Sequence, residues 1–107
     1  MNMNYRIDYS DEAKKDRKVF NNYQLDQIDK AIRKVSKNPL PQNEGGYGKP
    51  LGNKLGNNLT GHCKIVLMRL GISVVYKLIR IDEIMKIVVI SIRSDNEVYD
   101  IAVKRNT

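Results

Sequence analysis

The stretch from His62 to Arg93, HCKIVLMRLGISVVYKLIRIDEIMKIVVISIR, decides the fold. Three β-rich runs, His62–Leu70, Ile72–Ile81 and Met85–Ile92, are separated only by Gly71 and by Asp82-Glu83. Links this short join antiparallel neighbours, because a parallel connection needs a crossover of about a dozen residues. Alternation along the first run places His62, Lys64, Val66 and Met68 on one face and Cys63, Ile65, Leu67 and Arg69 on the other. Polar side chains interrupt these apolar strands at Lys64, Ser73, Lys77 and Arg93, so the sheet carries cations at set places.

Upstream, Tyr5, Ile7 and Tyr9 alternate with Arg6 and Asp8, the period of a half-buried strand. Ser10 stops that strand and caps a helix expected from about Asp11 to Asn21, with acidic residues in its first turn and basic ones after them. Leu25, Ile28, Ala31, Ile32 and Val35 recur at helical spacing and predict a second helix ending near Asn38-Pro39, since a residue before proline is pushed out of the helical region. From Asn38 to Asn58 all three prolines and most of the glycines occur without periodicity, which reads as a surface loop presenting Lys49 and Lys54. Asn96 to Arg105 reads as a short terminal helix. The expected architecture is β-α-α-β-β-β-α in the α+β class: one domain over residues 1–107, with a two-helix hairpin on one face of a curved antiparallel sheet and the other face open.

The 107 residues carry 19 Lys and Arg against 12 Asp and Glu, a net charge of +7. Basic residues exceed acidic ones in both halves of the chain, so a cationic surface has to be assembled by the fold and would suit a polyanion. With 41% hydrophobic and 29% charged residues, the chain is too apolar for disorder and too broken by charge for a membrane span. No apolar core of a secretory signal follows Met1, and the expected location is the cytoplasm. Cys63 is the one cysteine and His62 the one histidine, which excludes an internal disulfide and a His/Cys metal cluster. Gly45-Gly46-Tyr47-Gly48 lacks the Gly-Lys-Ser/Thr ending and the strand-to-helix setting of a phosphate loop.

The ordered set His62-Cys-Lys64-Ile-Val-Leu67, Gly71-x-x-Val-Val-Tyr76, Val89-Ile-Ser-Ile-Arg93 and Glu97-Val-Tyr99-x-x-Ala102-Val-Lys-Arg105 resembles the RelE-type toxins of bacterial type II toxin–antitoxin systems. The N-terminal half agrees in plan, through the Tyr9-Ser10 strand end, the Asn38-Pro39 helix end and Gly48-Lys49-Pro50-Leu51. The resemblance implies a RelE-like fold and a ribosome-dependent messenger endonuclease. In that reaction a ribose 2′-oxygen attacks the adjacent phosphate, with no cofactor or metal. It implies catalytic roles for Lys64, Arg93 and Tyr99. Lys49 and Lys54 of the loop, Lys77 and, less well placed, Arg69 are candidates for RNA contacts from their own positions. His62, on the face of Lys64, is a second candidate for proton transfer.

The implied partners are a cognate, acidic antitoxin, the ribosome and messenger RNA, with operator DNA reached only through the antitoxin and no membrane. Two positions depart from the family pattern: Val66 stands where a second lysine is frequent and Ser73 where an arginine is frequent. They leave open a ParE-like gyrase inhibitor without nuclease activity, or a weakened toxin that only binds its antitoxin.

Overall fold

In the computed structural model, which describes residues 4–54 and 57–106, Ser10 separates the first strand from the first helix. Strand β1 is Arg6–Tyr9, and the Ser10 hydroxyl accepts from the Ala13 amide at 3.1 Å to open helix α1, Asp11–Asp16. The backbone then tightens into a 3₁₀ turn at Arg17–Val19, so the first helix is shorter than its sequence pattern suggests. Helix α2, Asn22–Ser36, begins with a reciprocal cap in which Asn21 and Gln24 each bind the other's backbone amide. Its buried stripe of Ile28, Ile32 and Val35 is the predicted one.

Strands β2 (Lys49–Lys54), β3 (Asn57–Leu67), β4 (Ile72–Ile79) and β5 (Ile84–Ser91) are followed by helix α3, Asp95–Arg105. The five strands form one sheet in the order β1-β5-β4-β3-β2. The hairpins from β2 to β5 are antiparallel as expected, but β1 lies parallel to β5, with Arg6 opposite Ile84 and Tyr9 opposite Ile87, so the sheet is mixed. The α1–α2 hairpin makes that parallel pairing possible, because it carries the chain away from the sheet after β1.

Two further expectations are corrected. The segment 38–58 is not all loop. Its second half pairs as β2 on the sheet edge, where Pro50 removes no needed donor and a bulge between Pro50 and Gly52 absorbs the irregular sequence. Nor is the second sheet face open. Helices α1 and α2 cover one face through Ala13, Ile28, Ile32, Cys63, Val74, Tyr76 and Ile87, while α3 lies on the other through Val98, Tyr99 and Ala102 against Leu51, Leu59, Val75 and Val89. Central β4 is therefore buried on both sides from Ile72 to Tyr76.

The Tyr76 hydroxyl donates to the Pro39 carbonyl at 2.7 Å, tying the 39–48 segment to the sheet. Among the described residues no helix is long and apolar enough to cross a membrane.

Candidate active site

Lys64 leaves β3 on the α3 side of the sheet, and helix α3 is built to meet it. The buried side chains Val98, Tyr99 and Ala102 fix the roll of the helix, which carries the Tyr99 hydroxyl over the strand. The far end is fastened by an ion pair. Arg105 donates to both Asp16 oxygens at 2.7 and 3.1 Å and to the Val88 carbonyl at 2.8 Å, while the Ile90 amide donates to Asp16 at 2.9 Å. One carboxylate on α1 thus holds β5 and α3 together.

With α3 so placed, the Lys64 ammonium donates to the Tyr99 hydroxyl at 2.9 Å and to Asp95 at 3.4 Å. Partial burial pulls the Lys64 pKa down, but the Tyr99 hydrogen bond, together with the Tyr99 and Asp95 charges, outweighs it and leaves the net shift upward. Lys64 is therefore held as an ammonium that donates protons and charge; as a base it is poorly poised. Lys49, exposed on β2, is paired directly opposite Lys64, so the two cations share this face.

Arg93 follows β5, where its amide donates to the Ser91 hydroxyl, and its guanidinium reaches Glu97 on the next turn of α3 at 3.1 Å. Its side chain is 62% exposed, free to meet an incoming anion. At the start of α3, Lys64 thus meets Tyr99 and Asp95, while Arg93, two residues before the helix, pairs with Glu97.

The remaining candidates fall elsewhere. His62 points to the face of Lys64 but is only 2% exposed, and neither ring nitrogen has a hydrogen-bond partner. Burial lowers its pKa, and the charge of Lys77, opposite it on β4, adds to the effect, while the Thr60 and Leu59 carbonyls, near the ring but short of hydrogen-bond geometry, oppose it. The imidazole thus favours its neutral form and exposes almost no surface. Lys77 is half-buried and donates to the Asn106 side chain at 3.3 Å, at the C-terminal end of α3. Arg69 lies in the turn after β3, lining a groove with Tyr23, Lys34 and Met68 of the opposite face. The Lys54 side chain lies outside the described residues.

Val66 and Ser73 are paired directly opposite each other one row beyond Lys64, so the two missing cations leave one contiguous neutral patch. The amides of Gly45, Gly46, Tyr47 and Gly48 all bond to carbonyls within 38–42, which leaves that loop no donors for a phosphate. Among the described residues, no three His, Cys, Asp or Glu side chains converge as metal ligands would.

The arrangement of a β-α-α-β-β-β-β-α chain around this site has solved counterparts. A double arginine-to-alanine mutant of the Escherichia coli toxin RelE in the free state superposes with a TM-score of 0.70 over all of both chains at 24% identity. The chain shares the RelE fold. The same mutant in complex with an antitoxin RelBc peptide gives 0.67 at 25% identity, covering 94% of this chain and 96% of that one. Isolated RelE gives 0.65 at 24% identity, covering 96% and 99%. No family model and no curated protein sequence matches the chain. The RelE fold accounts for the placement of α3 against the sheet, which sequence periodicity alone did not give. Asp95 and the Asp16–Arg105 pair were also missed; their signal was an acidic residue in the first turn of α3 and an arginine in its last turn.

Proposed function

We propose that the protein is the toxin of a type II toxin–antitoxin system and acts as a messenger endonuclease on the ribosome. One observation carries this reading: on a RelE fold, the Lys64 ammonium is bonded to the Tyr99 hydroxyl, with the exposed Arg93 guanidinium rooted two residues before the helix that carries Tyr99. Cleavage by a ribose 2′-oxygen asks the protein for charge and protons rather than for a nucleophile. Arg93 offers planar donors to the non-bridging phosphate oxygens as charge builds on the phosphorane. Lys64, kept protonated, stabilises the same charge and supplies a proton to the departing 5′-oxygen. Tyr99 orients Lys64 through its hydroxyl. Lys49 extends the cationic face along the RNA.

The partner is an acidic antitoxin, which the net charge of +7 favours and which has a parallel in the RelBc peptide bound to RelE. Operator DNA would be met only through that partner, and the setting would be the cytoplasm. The neutral Val66–Ser73 patch is the observation that favours a weaker or purely binding toxin, because losing one oxyanion donor lowers a rate by about 10²–10³-fold.

Induction in bacteria, followed by mapping of messenger 5′ ends and of gyrase-linked DNA breaks, separates the readings. In-frame codon cleavage that disappears in Arg93→Ala and Tyr99→Ala is the expected result. Double-strand breaks would replace it with the ParE-like reading, and growth arrest unchanged in both variants would overturn the site.

A further inference from the structure

In the proposed reaction no side chain named so far takes the proton from the ribose 2′-hydroxyl. Lys64 is held as an ammonium, and His62 is only 2% exposed. At this end of α3, Glu97 is held by the Arg93 guanidinium and also accepts from the Ser94 hydroxyl. Asp95, the first residue of the helix, is different. Its side chain is 59% exposed, one carboxylate oxygen touches Lys64 Nζ at 3.4 Å, and the other meets no protein donor among the described residues.

We propose that Asp95 is the general base of the cleavage, a catalytic residue beside Lys64 on the substrate face. This rests on the nuclease reading and completes it. A phosphate drawn onto Lys64 brings the neighbouring ribose against Asp95, because Lys64 and Asp95 are already in contact. Asp95 then removes the 2′-hydroxyl proton as the 2′-oxygen bonds to phosphorus. The bond from phosphorus to the 5′-oxygen breaks, and that oxygen takes a proton from Lys64. The products are a 2′,3′-cyclic phosphate and a 5′-hydroxyl end. Asp95 finishes protonated and Lys64 neutral, and exchange with water restores both.

Asp95 touches Lys64 of β3, which also holds the Tyr99 hydroxyl and lies opposite Lys49 on β2, while Arg93 and Glu97, its neighbours in sequence, pair with each other.

The test is single-turnover cleavage of ribosome-bound messenger by the wild type, Asp95→Asn and Asp95→Ala, followed as a function of pH. Asp95→Asn is expected to slow cleavage at neutral pH by about 10²–10³-fold and to flatten the acid limb of the profile. Added formate is expected to restore part of the rate to Asp95→Ala. A carboxylate that merely pairs with Lys64 would leave the acid limb in place and give no formate rescue, and either result overturns the assignment. Cleavage by Asp95→Asn within about threefold of the wild type also overturns it while leaving the nuclease reading intact, since an absent base should cost far more. A wild type that makes no cut overturns both.

Discussion

A histidine with no hydrogen-bond partner, 2% exposed, sits two residues from the lysine that anchors the site. Such a side chain favours its neutral form, and its folded pKa falls below the ordinary 6.5. Between those two values the unfolded chain binds a proton that the folded chain does not, so stability is full above about pH 6.5 and is lost as the pH drops. Urea unfolding at successive pH values should show wild-type stability falling below that pH, with a shallower fall in His62→Gln. Tyr99 acts through its hydroxyl: Tyr99→Phe keeps the buried ring and removes a hydrogen bond to a charged group, so cleavage should drop about tenfold with the melting temperature nearly unchanged. Gly48 is set by contact. A Cβ there would collide with the Tyr76 hydroxyl and press on Cys63 at 3.0 Å, so Gly48→Ala should destabilise the fold by about 2 kcal/mol in chemical denaturation.

Among the elements, α2 and strands β4 and β5 were legible because their residues follow one period each: a helical stripe at Ile28, Ile32 and Val35, and unbroken apolar runs at Val74-Val75-Tyr76 and Val88-Val89-Ile90. That β4 does not alternate was itself a sign of two covered faces. Strand β2 was not legible, since Lys49-Pro50-Leu51-Gly52 has loop composition and is a strand only because an edge position tolerates proline and a bulge. Lys64, Arg93 and Tyr99 were found through family resemblance, and their convergence depends on α3, whose docking is decided by contacts distant in sequence. The Asp16 carboxylate is one such contact. Asp16→Ala strips partners from Arg105 and from the Ile90 amide, both partly buried, and should cost about 2 kcal/mol. Amide exchange should then speed up in α3 before it does in β4.

For the whole molecule, the net charge of +7 first pointed only to a polyanionic partner, and the fold divides that charge into roles. Lys49 lies opposite Lys64 and Arg93 is exposed, the three cations the proposed reading gives to the substrate, whereas Arg17, Arg80 and Arg105 are engaged with Asp29, Glu44 and Asp16 and hold elements together. Three phosphate contacts on single-stranded RNA give a slope of log K against log salt of about −2, and Lys49→Ala should reduce its magnitude by about 0.7 in a filter-binding titration.

The parallel seat of β1 beside β5 also sets a timetable for the newborn chain. Arg6 and Ile7 emerge early from the ribosome, but the strand they pair with is made near the end, and Arg93 and Tyr99 come later still. At about 5–20 residues per second the growing polypeptide spends seconds without its closing strand. On the proposed nuclease reading no cleavage centre exists during that interval, so a ribosome making this protein would be spared by it until the last helix has been translated.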